Sequence, residues 1–244
     1  MHHELSEGRV ICADNARVLR ELPDDCIDLI YIDPPFNTGR TQSQRAGEFV
    51  DSWDTVSHYV DFLRPRIVEM HRTLRSTGSL LLHCDWRTSH HVRVMLDEIF
   101  GPDRFVNHLI WSYGLGGSSP RRFARKHDDI LFYARTDRYY FAAPRVPATS
   151  QRLKGKTKKA TDVLDIPSIN NMARERTGYP TQKPLALLAM LIAACCPADG
   201  LVADFFCGSG TTLLAARRLQ RRYLGVDRSR AAVAMARRRL LTDR

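Results

Sequence analysis

The stretch Asp204-Phe-Phe-Cys-Gly-Ser-Gly-Thr-Thr212, followed by Tyr223-Leu-Gly-Val-Asp227, decides the fold of this chain. The first run sets a turn with two glycines, Gly208 and Gly210, between an apolar strand and a helix opening near Thr211. Doubly wound sheets use this device to let a ligand approach the backbone. The second run ends a strand on a carboxylate, Asp227, where nucleotide-binding sheets hold ribose hydroxyls. A G-x-G turn alone is weak, because any tight strand-to-helix turn can contain one; the aspartate after the next strand makes the pair informative. Only one helical pattern, Arg230 to Leu241, follows. So small a remainder cannot complete a sheet, so the missing strands precede the pair and the order is circularly permuted.

Outward from that stretch, Arg9 to Ala13 reads as a strand, Ala16 to Glu21 as a short helix, and Ile27 to Asp33 as a strand stopped by Pro34-Pro35. A polar loop runs through Trp53, and Val60, Leu63, Ile67, Met70 and Leu74 are spaced as one helix face. Ser79 to His83 is the next strand, and His90 to Phe100 an amphipathic helix closed by Gly101-Pro102. Strands at Phe105 to Trp111 and Asp129 to Ala134 flank the Gly/Ser run Gly114 to Pro120, expected as a mobile loop. Later come a helix from Pro184 to Cys195, a strand from Leu201 to Phe206, a helix from Thr211 to Gln220 and a strand from Arg222 to Val226. The expectation is an α/β fold with a doubly wound, mostly parallel seven-stranded sheet. The Val10-Ile11 strand should lie beside the Leu224 strand, and the Ile27 to Asp33 strand on the far side of Leu201 to Phe206. That gathers Asp14, Asp33, Asp204 and Asp227 around one crevice. Singly, each could be a helix cap, Asp14 above all.

With 244 residues and 43% hydrophobic composition, the chain can bury one substantial core but not two enzymatic domains. A single domain (1–244) with an insertion at 135–178, where periodicity weakens, fits best. The formal charge of +10 suits a polyanionic partner, nucleic acid first, although a solubilising basic surface has the same signature. The six cysteines include no C-x-x-C pair and no secretory signal precedes them, so a reduced cytosolic compartment is expected. Cys195 and Cys196 lie on an apolar run, as core thiols would. The nine histidines, His2, His3, His90 and His91 among them, lack zinc-site spacing, and no metal is expected. Leu185 to Cys196 is too short to span a membrane.

The strand ending at Asp33 runs into Pro34, Pro35 and Phe36. An exocyclic amine such as that of adenine is a poor nucleophile, because its lone pair is delocalised into the ring. Acceptors on its N–H bonds, here the Asp33 carboxylate and the Pro34 carbonyl, would stabilise the charge that develops as nitrogen attacks a sulfonium methyl. Proline offers no donor, and Phe36 would stack on a base swung out of a duplex. A plain D-P-P turn is the alternative.

The chain at this point resembles the β-class amino-methyltransferases of DNA, in which a D-P-P-F/Y motif precedes an F-x-G-x-G motif. The resemblance extends through Asp14, Leu80 to Asp85, Phe105 to Trp111, Asp128 to Tyr133, Tyr179 to Leu185, Asp204 to Thr212 and Tyr223 to Asp227. It implies S-adenosyl-L-methionine as cofactor, with Asp14 at its adenine and Asp227 at its ribose. Asp33, Phe205, Phe206, Gly208, Ser209, Gly210, Thr211 and Thr212 would surround it, and Lys183 and Pro184 would close over it. Lys183-Pro184 also reads as an ordinary helix start. A double-stranded DNA partner, a homodimer and a cytoplasmic, prokaryotic or phage-borne enzyme at the nucleoid, within a restriction system or alone, are further implications.

By the same likeness 135–178 is the target-recognition region. Lys154, Lys156, Lys158 and Lys159 in it, and Arg121, Arg122, Arg125 and Lys126 after the glycine-rich loop, are candidate phosphate contacts or simply solvated charges. Asn170 and Asn171 are base readers or turn formers. D-P-P-F leans towards adenine N6 over cytosine N4. RNA or protein-amide methylation generally goes with N-P-P and the unpermuted order. A silent DNA-binding protein conflicts with an intact D-P-P-F, and a nicotinamide oxidoreductase would need a third glycine that Gly208 to Leu213 lacks.

Overall fold

The computed structural model describes residues 8–44, 47–114, 118–148, 152, 154–170, 172–173, 175–179 and 181–243. His2, His3, the middle of the glycine-rich run (Leu115, Gly116, Gly117), Asn171 and Pro180 lie outside the described residues.

Strand β1 (Arg9–Cys12) leads to α1 (Asn15–Glu21), whose first turn is capped by Asp14 Oδ1 accepting from Ala16 N at 2.9 Å. In β2 (Ile27–Ile32) every residue is buried, as a central parallel strand requires. The polar stretch expected as a loop instead holds an antiparallel hairpin, β3 (Arg40–Gln44) and β4 (Gly47–Asp51). A hairpin satisfies its backbone groups internally, so its polar sequence gave no strand signal. Helix α2 (Val56–Thr73) is capped by Thr55 and turns Tyr59, Leu63, Ile67 and Met70 inward. It is followed by β5 (Leu74–Cys84) and α3 (Ser89–Phe100), the latter ended by Gly101 at φ +92°.

Strands β6 (Phe105–Ser112) and β7 (His127–Ala134) pair antiparallel. The segment 135–178 carries the small hairpin β8 (Arg145–Pro147) and β9 (Thr157–Lys159), then β10 (Val163–Asp165). The last third is α4 (Leu185–Cys195), β11 (Leu201–Asp204), α5 (Thr211–Arg218), β12 (Arg222–Asp227) and α6 (Arg230–Thr242).

The main sheet has eight strands in the order β1-β12-β11-β2-β5-β7-β6-β10, one more than expected. The addition is β10, which pairs with β6 (Leu164↔Trp111) and buries only Leu164, too little to register as a period. Strand β7 alone is antiparallel to its neighbours. The permuted placement holds: Ile11 is level with Val226, and Ala203 lies between Leu224 and Ile30. Helices α1, α2 and α3 pack their apolar faces on one side of the sheet, α4 and α5 on the other, and α6 closes over α5 and β1. Cys195 and Cys196 are core thiols, which burial pushes up to about 12. Among the described residues no helix is long and apolar enough to cross a membrane.

From β11 the chain winds outward through α5 to β12; from β2 it winds the other way, through α2 on the opposite face, to β5. The β2/β11 boundary is therefore the topological switch point, where such sheets open a crevice at their carboxyl ends.

Candidate active site

A cavity of about 730 Å³ occupies that crevice. It falls within the roughly 300–1,000 Å³ typical of small-molecule sites. Asp33, Asp204 and Asp227, at the ends of β2, β11 and β12, all line it.

The glycine turn after β11 is tight: Cys207 N donates to Val226 O at 3.1 Å, and Gly210 N to Cys207 O at 2.7 Å. Gly208 has φ +48°, and a Cβ there would stand 2.9 Å from the Tyr179 ring across the cavity. Its N–H donates to Asp227 Oδ2 at 2.9 Å, while Ser229 N donates to Oδ1 at 2.8 Å. Burial raises the Asp227 carboxyl above its ordinary range, and these two backbone donors work against the rise. Gly210, at φ +76°, has a different reason to be glycine. A Cβ there would lie 2.7 Å from Ala236 Cβ of α6, and Gly210 does not line the cavity. The expectation that both glycines admit a ligand is thus corrected: Gly208 faces the cavity, and Gly210 lets two helices close.

Asp204 is buried beneath the turn, accepting from Thr212 Oγ1 at 2.6 Å and Phe206 N at 3.0 Å. Burial pushes its carboxyl up to about 7 despite those donors. Arg239 of α6 clamps the turn from outside through Ser209 O (2.8 Å) and Thr211 Oγ1 (3.0 Å).

At the end of β2, Lys183 Nζ lies 2.5 Å from Asp33 Oδ2. The other oxygen, Oδ1, is buried and has no partner among the described residues. An unpaired buried acceptor is costly, on the order of 1–3 kcal/mol, and calls for a donor. Phe36 stacks on the His83 ring, centroids 5.6 Å apart and planes at 30°. His83 is fully buried, with Nδ1 2.8 Å from Tyr31 Oη and Nε2 3.2 Å from Asp128 Oδ2. A carboxylate can only accept, so Nε2 carries the proton, and Nδ1 accepts from the Tyr31 hydroxyl. Burial raises the Asp128 carboxyl, but hydrogen bonds from His83 and Tyr113 and the Lys183 charge outweigh it and hold it below the carboxylate range. The ring beneath Phe36 is therefore locked across three strands.

Pro34, Pro35, Phe36, Lys183, Phe205, Phe206, Ser209, Thr211 and Thr212 line the same cavity. Asp14 does not, although its neighbours Ala13 and Asn15 do; its carboxylate caps α1 and lies 3.5 Å from Arg66. Pro184 is buried just ahead of α4 as its N-cap, outside the lining. Of the basic candidates, Arg121, Arg122, Arg125, Lys154, Lys156, Lys158 and Lys159 are exposed and Lys126 half-buried, and none lines the cavity. Tyr31, His83, Asp128 and Asn15 had no role in the sequence reading. Asn15 Nδ2 donates to Phe205 O at 2.8 Å, and its Oδ1 accepts from Arg66 at 2.7 Å, tying α1, α2 and the glycine turn together.

The permuted sheet and its crevice define a Rossmann-like methyltransferase fold. A family model described as DNA methylase, of the N6/N4 methyltransferase type, matches residues 27–238. The chain belongs to this family of DNA amino-methyltransferases, whose methyl donor is S-adenosylmethionine. It is 26% identical to the type II methyltransferase M.ScaI of Streptomyces caespitosus over 249 residues, 93% of this chain and 79% of that protein. It is 26% identical over 254 residues to the DNA adenine methyltransferase YhdJ of Escherichia coli (strain K12), covering 95% and 82%. Among solved structures, the cytosine-N4-specific PvuII DNA methyltransferase superposes with a TM-score of 0.75 at 18% identity, over 97% of this chain and 87% of that one. The M1.HpyAVI–SAM complex gives 0.67 at 21% identity, over 95% and 98%.

Proposed function

We propose that this enzyme methylates the N6 amine of adenine in double-stranded DNA, at a short recognition sequence, with the target base turned out of the helix against Asp33, Pro34, Pro35 and Phe36. The observation that carries this reading is the unpartnered, buried Asp33 Oδ1 beside an oxygen already held by Lys183. Lys183 fixes the carboxylate, and Oδ1 is left to accept an N–H of the target amine and offset the charge that grows on its nitrogen. Phe36, backed by His83, offers a flat face to the base.

The crevice suits the methyl donor on the chain's own terms. A Cβ at 208 would press on the Tyr179 ring, so glycine leaves the cavity its full width there. Asp227 stands where a ribose hydroxyl would be held. Asp204, buried and pushed up to about 7, gains from any nearby positive charge, such as a sulfonium. Donor contacts are assigned to Lys183, Phe206, Gly208, Ser209, Thr211 and Asp227. The preference for adenine rests on D-P-P-F and on the adenine-specific relative. The segment 135–178, docked to the sheet by β10, is assigned to target recognition, and Arg121, Arg122, Arg125, Lys126, Lys154, Lys156, Lys158 and Lys159 to phosphates.

The test is incubation with methyl-tritiated S-adenosylmethionine and unmethylated DNA, followed by nucleoside analysis. Label on N6-methyladenosine is expected. Label on N4-methylcytosine would overturn the adenine assignment and leave the amine chemistry; an unlabelled digest would overturn both.

A further inference from the structure

Asp85, Trp86 and Arg87 follow β5 at the edge of the sheet that bears Asp33, and residues 121–126 lead into β7, whose Asp129 pairs with Cys84 of β5. The two segments meet where the Arg125 guanidinium covers the ring of Trp86, three residues beyond His83. The β6–β7 connection is closed at its base by Tyr113 N donating to Lys126 O at 3.0 Å. Tyr113 Oη reaches Asp128 Oδ1 at 3.3 Å, so the root of this connection rests on the same carboxylate that fixes His83.

Above that root the surface is aromatic and cationic. Trp86 is 42% exposed, with the Arg125 guanidinium 3.3 Å from its ring centroid and Arg87 at 4.9 Å. Arg122 and Arg87 both bear on Arg125 as like charges. The nearby carboxylate, Asp85, is already engaged by the Arg87 side chain and accepts from Arg87 N at 2.9 Å. Two residues before Arg125 stands Phe123, 97% exposed. Crowded cations call for a polyanion, and exposed rings among them are the arrangement that stacks on nucleobases while tracking a phosphate backbone.

We propose that Phe123 enters the duplex at the target step and fills the stack vacated by the flipped base, while Trp86 and Arg125 brace the adjoining backbone. This rests on the DNA reading above and adds to it the side chains that stabilise the opened helix. Neither aromatic residue is needed by the core, so both are free to face a ligand. Tyr113, whose N–H holds Lys126 at the root of the connection, shares the Asp128 carboxylate with His83, the ring on which Phe36 stacks.

The test compares wild type, Phe123→Ala, Phe123→Trp and Trp86→Ala on two duplexes, one fully paired and one with an abasic site opposite the target base. S-adenosylmethionine affinity is measured in parallel, and 2-aminopurine at the target position reports flipping. For Phe123→Ala, kcat/KM on the paired duplex should fall about tenfold, within the range for one lost base–aromatic stack. The 2-aminopurine signal should fall with it, donor affinity should hold, and the abasic duplex, which opens without a wedge, should restore the rate. Phe123→Trp should behave as wild type, and Trp86→Ala should raise KM for both duplexes alike. Wild-type rates from Phe123→Ala on the paired duplex, or an equal loss on both duplexes, would overturn the wedge while leaving the methyltransferase reading intact. A wild type that transfers no methyl group to either duplex would overturn that reading and the wedge with it.

Discussion

Adding a single methyl group at Gly210 should weaken the fold more than it weakens donor binding, and adding one at Gly208 should do the reverse. Both glycines sit at positive φ, +76° and +48°, where an L-residue pays roughly 1–2 kcal/mol in strain. They differ in what a Cβ would meet. At Gly210 it lies 2.7 Å from Ala236 Cβ and 3.2 Å from Ala236 Cα, inside helix α6, where the backbone cannot give way locally. Overpacking of that kind adds roughly 1–3 kcal/mol, for about 2–5 kcal/mol in all. In a chain of this size each kcal/mol moves the melting temperature by about 2–4 °C, so Gly210→Ala should lose about 4–20 °C. At Gly208 the Cβ meets Tyr179 Cε1 at 2.9 Å, a side chain on the cavity wall that can swing, though only into the cavity. Gly208→Ala should therefore melt within a few degrees of wild type, about the strain term alone, yet bind S-adenosylmethionine at least about tenfold more weakly. Scanning calorimetry and titration calorimetry read the two quantities. Adding Ala236→Gly to Gly210→Ala should recover part of the loss, with a coupling of about 1 kcal/mol or more in a double-mutant cycle. A Gly210→Ala protein that melts like wild type but no longer binds the donor would refute this division of labour.

Asp33→Ala should lower kcat by about a hundredfold or more, the scale of removing one preorganised charge-stabilising group, with donor affinity little changed in equilibrium dialysis. Because burial pushes the Asp204 carboxyl up to about 7, the folded protein keeps a proton there that the unfolded chain releases near 4. The associated stability is full below about pH 4 and lost as pH rises through 7. Urea unfolding of Asp204→Asn should show that decline flattened, by up to about 4 kcal/mol; an unchanged slope would place the titration elsewhere. His83→Phe keeps a ring against Phe36 and Trp111 but strands Tyr31 Oη and Asp128 Oδ2, which should cost roughly 2–6 kcal/mol in denaturant melts. Cys195 and Cys196, buried with thiols pushed up to about 12, should resist alkylation at pH 8 until the protein unfolds.

The permuted order was legible because the glycine turn and Asp227 stand so late in the chain, and the placements of β1 and β2 followed from counting the strands that were missing. Hydrophobic period located the long helices and most central strands within a residue or two, but β5 opens at Leu74, five residues ahead of the expected Ser79. It was blind to β3, β4 and β10, which are short or polar and exist through pairing with a neighbour. The residues lining the crevice were mostly readable as motifs, since Asp33, Gly208 and Asp227 must sit at strand ends to reach a common space. What each does there was less so. Gly210 looked like a point of approach, yet α6, folding back over the turn, decides its size. Asp14 looked like a ligand contact, and its carboxylate is taken by a helix cap and Arg66. The Tyr31–His83–Asp128 chain joins three strands, so no spacing along the sequence signals it.

The strand order β1-β12-β11-β2 means that β11 and β12 come between two strands made long before them. Until that late pair emerges during synthesis, α1 bridges a gap two strands wide, and one edge of β2, buried along its whole length in the finished sheet, has nothing to pair with. A ribosome-bound chain therefore carries its most aggregation-prone edge through most of translation. The donor crevice then forms as the gap is filled, so folding and the capacity to bind the methyl donor are completed by the same event. Fragments divided ahead of α4 should complement one another only by inserting strands into a waiting sheet, and the donor would favour their union by binding the product.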